Sequence, residues 1–120
     1  MNAPPVRVLV VDDEPDICFL LSSLLQRQGL MCTSAHTLAS ARELLGAGAF
    51  DVVFLDIYLP DGRGYTLAES IHRSGAKIIA MSAVDNEREH AMRHGVDLFI
   101  AKPFEQRAIL TGLHELGLIP

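Results

Sequence analysis

Several features common in other proteins are missing from this sequence, and each absence narrows what the chain can be. No apolar run approaches the roughly eighteen residues of a membrane span. The opening Met1-Asn2-Ala3-Pro4-Pro5 lacks the basic start and long apolar stretch of a secretion signal. It reads as a frayed start to a soluble, cytoplasmic protein with no membrane partner. Lys and Arg number 10 against 15 Asp and Glu, a net charge of −5 that no basic cluster offsets. General affinity for nucleic acid is thereby excluded for this domain alone. Only two cysteines, Cys18 and Cys32, are present, inside predicted elements and at no metal-ligand spacing. They read as small buried thiols in place of a disulfide or redox pair. Internal repeats, low-complexity tracts and linkers are also lacking. A chain of 120 residues, 49% of them hydrophobic, then makes one domain over residues 1–120, with a core from about residue 6 to 117.

What the sequence does contain is a regular alternation of apolar strands and amphipathic helices. Arg7 to Val11 reads as a strand. Pro15 suits the first turn of a helix. Ile17, Leu20, Leu21, Leu24 and Leu25 then recur at three- and four-residue spacing up to a stop at Gly29. Leu30 to Ala35 gives a second strand, and Leu38, Ala41, Leu44 and Leu45 a second helix ending in Gly46-Ala47-Gly48. Asp51 to Leu55 is the third strand, followed by a loop and a helix carrying Leu67, Ala68 and Ile71 that stops near Gly75. Lys77 to Met81 is the fourth strand. The polar stretch Asp85 to His94 predicts a short helix capped by Asp85 or Asn86 and ended by Gly95. Leu98 to Ala101 is the fifth strand, Lys102-Pro103 breaks it, and Ile109, Leu110, Leu113 and Leu116 mark a last helix. Continuous apolar runs, each followed by a helix, predict an α/β fold: a doubly wound (βα)5 domain with a five-stranded parallel sheet covered on both faces. In such a sheet the binding crevice lies at the carboxyl ends of the strands.

The residues at those ends are chemically selective. Asp12, Asp13 and Glu14 follow the first strand, Asp56 the third, Ser82 the fourth and Lys102 the fifth. Each has a bland alternative. Asp12 and Asp13 could be helix N-terminal acids, Asp56 a turn former before Pro60-Asp61-Gly62, Ser82 a cap or turn hydroxyl and Lys102 an ordinary exposed lysine. Their shared register is what promotes them together. Three carboxylates at one sheet edge repel, and Mg²⁺ or Mn²⁺ is the natural partner for such hard oxygens. Asp56 is also placed to act as a nucleophile toward phosphorus. Ser82 and Lys102 then steady the oxygens of the transferred group by a hydrogen bond and by charge. The histidine pair His90 and His94, four residues apart on a polar helix, reads as a solvated face and not as a metal site.

Taken together, these stretches resemble the response regulator receiver domain of two-component signalling. The resemblance rests on Val10-Val11-Asp12-Asp13-Glu14, on Leu55-Asp56 with Leu59-Pro60 and Gly64, on Met81-Ser82-Ala83 and on Ala101-Lys102-Pro103-Phe104. It implies a flavodoxin-like sheet of strand order 2-1-3-4-5 and a phosphoryl group accepted by Asp56 from a histidine kinase or histidine phosphotransfer protein. Asp13, Asp56 and the backbone carbonyl of Tyr58 would be direct Mg²⁺ ligands, with Asp12 acting through water. Ser82 and Phe99 would be the switch pair, Ser82 moving toward the phosphoryl group and Phe99 turning inward. Here Phe99 stands where Tyr is frequent, so it signals by shape alone. The Lys102-Pro103 bond is expected cis. Tyr58 and Val84 occupy the positions that tune dephosphorylation, and neither carries an acid or amide to orient water. A phosphoryl lifetime of roughly tens of minutes or longer follows.

The expected product is a signalling switch, not an enzyme, promoting only its own phosphorylation and dephosphorylation. Its output is expected through the fourth helix, fifth strand and fifth helix to another protein, since no output domain follows. The mixed charges of the last two helices permit a phosphorylation-dependent homodimer without requiring one. Two other readings compete. A phosphatase of haloacid dehalogenase type needs a second Asp two residues beyond the first, where this chain has Tyr58. A degenerate receiver would bind partners without phosphorylation, against which the intact Asp13, Asp56, Ser82 and Lys102 argue.

Overall fold

The computed structural model describes residues 4–84 and 87–120. Its central sheet has five parallel strands, β1 (Arg7–Val11), β2 (Met31–Ala35), β3 (Val52–Asp56), β6 (Lys77–Ser82) and β7 (Leu98–Ala101), in the order β2-β1-β3-β6-β7. That is the expected 2-1-3-4-5 order. The numbering skips because a two-stranded antiparallel hairpin, β4 (Tyr58–Leu59) and β5 (Gly62–Arg63), lies in the loop after β3. The helices are α1 (Pro15–Arg27), α2 (Leu38–Ala47), α3 (Ala68–Ser74), α4 (Glu87–Arg93) and α5 (Gln106–Glu115), and a 3₁₀ turn over Gly64–Leu67 leads into α3.

The alternation of side chains along each strand divides the core in two. Leu9, Val11, Val53, Leu55, Ile78, Ala80 and Phe99 face α2, α3 and α4, packing on Leu38, Ala41, Ala68, Ile71 and Ala91. Val8, Val10, Val52, Phe54, Ile79, Met81 and Ile100 face the other way, onto Cys18, Leu21, Leu24 and Leu25 of α1 and Ile109 and Leu113 of α5. Both faces of β1 and β3 are therefore dry, which is why these strands read as unbroken apolar runs. Burying a single such side chain contributes about 1.5–3 kcal/mol, so the sheet is a stiff platform for whatever its edges carry. Among the described residues no helix is long and apolar enough to cross a membrane.

The strand boundaries differ from expectation by one residue in places, for a reason that bears on the site. Asp56 and Ser82 are the last residues of their strands and do not follow them, because the ladder runs on: Ile57 N–H donates to Met81 O at 3.1 Å and Lys102 N–H to Ser82 O at 2.9 Å. Leu30 lies outside β2. The expected cap of α4 at Asp85 or Asn86 lies outside the described residues. Cys18 and Cys32 are free thiols, the first buried and the second half-buried. Burial pushes both thiols up, Cys32 to about 11, as inert core cysteines require.

The loop after β3 is fixed by two contacts. Gly64 N–H donates to Ile57 O at 2.8 Å, and a Cβ at Gly64 would drive into the Asp56 carbonyl, so only glycine lets the chain pass so close. Asp61, at the hairpin tip, reaches across to α2 and accepts from Leu38 N–H at 2.8 Å and Ala39 N–H at 3.1 Å. It thereby caps that helix beside the local cap from Thr37.

Candidate functional site

Asp12, Asp13, Asp56, Ser82 and Lys102 meet at the carboxyl edge of the sheet because four adjacent parallel strands end together there. Asp56 pairs in register with Met81, and Ser82 with Ala101. One carboxylate oxygen from each of Asp12, Asp13 and Asp56 lies within 4.8 Å of the others. Asp12 and Asp56 are buried and Asp13 is exposed, so the cluster opens to solvent on the Asp13 side.

Lys102 is the counter-charge. Its Nζ lies 2.6 Å from Asp12 Oδ2 and donates to Asp56 Oδ2 at 3.3 Å, with the side chain only 9% exposed. The Lys102-Pro103 peptide is cis. Burial lowers the ammonium's proton affinity, but the hydrogen bond and charge of Asp12 and those of Asp56 outweigh it and hold Lys102 above its usual range. Asp56 moves the other way from an ordinary carboxylate: burial first, then the charge of Asp12, push it up to about 6, against the opposing pull of Lys102. One ammonium among three carboxylates leaves the edge short of positive charge.

Several backbone contacts hold this cluster. Glu14 N–H donates to Asp12 Oδ1 at 2.9 Å, and Tyr58 N–H to Asp56 Oδ1 at 3.4 Å. The Asp12 carbonyl accepts from the Cys18 thiol at 3.3 Å and from His36 Nδ1 at 3.0 Å, which places the imidazole proton on that nitrogen. Asp12 Oδ2 has Lys102 Nζ at 2.6 Å and no other polar partner among the described residues. Three carboxylates beside one ammonium are hard oxygen donors still short of positive charge, which a divalent cation would supply. The residues present therefore fit Mg²⁺ or Mn²⁺.

The other expected positions are placed as follows. Ser82 is buried and its Oγ accepts from Val84 N–H at 3.1 Å, a turn contact of the kind its bland reading foresaw. Phe99 is 7% exposed and already packed inward, with the Arg88 guanidinium 5.1 Å from its ring centroid and donating to the Phe99 carbonyl at 3.3 Å. Val84 is exposed. Tyr58 turns its ring toward α4, where its hydroxyl donates to Glu87. Tyr65 donates to Glu87 Oε2 at 2.7 Å. The Tyr58 hydrogen bond and then that of Tyr65 hold the Glu87 carboxyl below its usual range. His94 stacks on Tyr65 at 4.2 Å and His90 lies 5.0 Å from it, both exposed; neither belongs to a group of three metal-type ligands among the described residues. Glu87 and Tyr65 carried no signal in the sequence, since nothing local links residues so far apart.

The profile of the response regulator receiver domain matches residues 8–114. The chain belongs to the response regulator receiver family. This receiver is 38% identical to the response regulator protein PilR of Pseudomonas aeruginosa over 104 residues, covering 82% of this chain and 23% of PilR. It is 30% identical to protein PetR of Rhodobacter capsulatus over 119 residues, covering 97% of this chain and 50% of PetR. The receiver thus spans half or less of the length of these relatives. The response regulator TrrA of Thermotoga maritima, solved in complex with Mg(2+)-BeF, matches it with a TM-score of 0.83 at 32% identity, covering 92% of this chain and 98% of that one. Receivers are phosphorylated by histidine kinases, and signalling by a switch of this kind is what the family does.

Proposed function

We propose that this chain is a phosphorylation-controlled interaction switch whose phosphoacceptor is Asp56. The observation that carries the reading is the convergence of Asp12, Asp13 and Asp56 within 4.8 Å with Lys102 as their ammonium at the open edge of the sheet. An Asp56 carboxylate oxygen forms a bond to the phosphorus of a phosphohistidine on a histidine kinase or phosphotransfer protein. The P–N bond breaks, and its electron pair returns to the imidazole nitrogen. Asp13, Asp56 and the Tyr58 carbonyl would hold Mg²⁺ or Mn²⁺, with Asp12 reaching it through water. When bound, the ion offsets the crowded carboxylate charge and that of the phosphoryl oxygens. The fit is supported by the three convergent carboxylates beside one ammonium and by the Mg(2+)-BeF complex of TrrA.

The remaining steps belong to the chain's own side chains. Lys102, already bridging Asp12 and Asp56, exchanges part of that contact for a phosphoryl oxygen. Ser82 Oγ accepts from Val84 N–H, and a hydroxyl that accepts one bond still has its proton to donate, so it can turn toward the phosphoryl group without losing its turn contact. Phe99 and Arg88 lie between this movement and the surface of α4, β7 and α5. There a cavity of about 540 Å³, lined by Arg88, Phe99, Phe104 and Arg107 among others, is open to a downstream protein. A phosphorylation-dependent homodimer would use the same face.

Incubation with Mg²⁺ and phosphoramidate or acetyl phosphate, followed by intact mass, tests the reading. The expected result is one added phosphoryl group, lost in Asp56→Asn and persisting for roughly tens of minutes after donor removal. No gain with either donor would leave a phosphorylation-independent binding module; turnover of many equivalents of a phosphomonoester would indicate a phosphatase.

A further inference from the structure

Two residues beyond Asp56, the Tyr58 backbone N–H donates to the phosphoacceptor carboxylate at 3.4 Å, while the Tyr58 side chain leaves the site altogether. Its hydroxyl is bound by Glu87, at the start of α4. Glu87 is buried, its other oxygen is taken by the Tyr65 hydroxyl at 2.7 Å, and His90 Nδ1 stands 3.8 Å away. The Arg63 guanidinium lies 4.1 Å from the centroid of the Tyr58 ring. Glu87 N–H also donates to Val84 O at 3.2 Å, so one residue ties the loop after β3 to the loop after β6. A tyrosine hydroxyl has a single proton to donate; here it is committed to a carboxylate.

We propose that Glu87 is a positioning residue that lengthens the life of the aspartyl phosphate, by withholding from the site the Tyr58 hydroxyl, which could otherwise orient an attacking water. The proposal rests on the reading of Asp56 as phosphoacceptor. In hydrolysis a water oxygen bonds to phosphorus and the bond between phosphorus and the Asp56 oxygen breaks, its electron pair returning to the carboxylate. One water proton stays on the released phosphate and the other passes to solvent. A polar group beside the phosphoryl oxygens speeds this by holding the water in line. Val84 is apolar, and Tyr58 has its hydroxyl tied to α4, so neither does so. Freed from Glu87, the Tyr58 hydroxyl sits on a residue whose backbone already touches the Asp56 carboxylate.

The test follows loss of phosphoryl mass after phosphorylation with phosphoramidate and Mg²⁺ and rapid removal of the donor. Glu87→Ala should shorten the half-life about fivefold or more. Adding Tyr58→Phe to that variant should return it to the wild-type half-life, because no hydroxyl remains to be freed. Glu87→Gln, which keeps an acceptor oxygen, should stay within about twofold of wild type. If the alanine variant does not fold, Glu87→Asp carries the same expectation, since it keeps the charge but withdraws the carboxylate by one methylene. An unchanged half-life in the Glu87 variant overturns the proposal. So does an acceleration that survives Tyr58→Phe, which would mean a loosened α4 and not a freed hydroxyl. A wild-type chain that gains no phosphoryl mass overturns the Asp56 reading and this one with it, whereas variants that all gain it and lose it at the wild-type rate overturn this one alone.

Discussion

Aspartates stand at both edges of the central sheet, in opposite electrostatic conditions. At the amino edge, Asp51 and Asp97 precede β3 and β7 and make the same paired contact. Asp51 N–H donates to Arg7 O at 2.8 Å while its Oδ2 accepts from Arg7 N–H at 2.8 Å; Asp97 N–H donates to Ile78 O at 2.9 Å while its Oδ2 accepts from Ile78 N–H at 2.8 Å. Each carboxylate extends a parallel ladder by one more bond and satisfies an N–H in the first two residues of a strand. At the carboxyl edge, Asp12, Asp13 and Asp56 crowd one another, and the one ammonium beside them, on Lys102, bridges Asp12 and Asp56. The same residue type extends the ladder where it meets backbone donors alone, and is suited to the chemistry proposed above where carboxylates crowd beside one ammonium.

The contrast breaks most sharply at Asp56. Asp56→Asn should abolish phosphoryl gain from phosphoramidate, read as intact mass, while every amino-edge substitution leaves it in place. The same variant should be more stable than the parent in chelator at pH 7, since it removes a carboxylate whose ionisation burial opposes. A phosphorylated Asp56→Asn protein would show that the nucleophile lies elsewhere in the cluster.

Lys102→Ala comes next. Without its ammonium the three carboxylates keep only solvent and bound cations to offset them, so phosphoryl gain should slow about tenfold or more and the phosphorylated form should fail to reach the active shape. Stopped mass sampling gives the first quantity; the change in Phe99 environment on phosphorylation, followed by NMR, gives the second. Full activation of the variant would show that the lysine only balances charge in the resting site.

How much of this was legible in the sequence follows from the same geometry. Parallel strands bury both faces and end together, so a contiguous apolar run ending in Asp56, Ser82 or Lys102 announces both the strand and the edge it reaches. Even the one-residue slip at Asp56 and Ser82 leaves them at that edge. Contacts between the flank of a helix and a distant loop leave no such trace. Tyr58 and Glu87 are 29 residues apart, and Asp61 caps a helix that starts 23 residues before it. Their partners are set by how α2 and α4 lie against the hairpin after β3, which no local period encodes. Asp61 accordingly reads in sequence as a turn residue, and Glu87 as one more acid on a polar helix.

Acid should also separate the two edges. Asp56 takes up its proton near pH 6 in the folded chain, against an ordinary 3.8. Between those values the native state binds more protons than the unfolded chain, so this group's contribution makes stability fall as pH rises from about 4 to about 6. Its full size is on the order of 1–3 kcal/mol. In chelator, the wild-type protein should therefore lose stability across that window relative to Asp56→Asn. Glu87 and Asp61, both held below their usual range, act in the opposite sense and at lower pH, and they cancel in the difference. Parallel urea midpoints at pH 4.5 and 6.5 for the two proteins would remove Asp56 as the source.

The smallest effects belong to the amino edge, and they differ between its two aspartates. Asp97 serves Ile78, a buried residue, so Asp97→Ala leaves a strand N–H that water reaches less readily than an exposed one and should cost about 1–3 kcal/mol. Asp51 serves Arg7, an exposed residue, where water takes over the bond, so Asp51→Ala should cost about 0.5–1 kcal/mol. Urea midpoints at unchanged slope measure both. Equal losses would mean that burial of the donor does not set the value of these bonds. If Asp97→Ala also slowed phosphoryl gain, the two edges would be coupled along β6 and β7, and the division between a structural and a reactive edge would no longer hold.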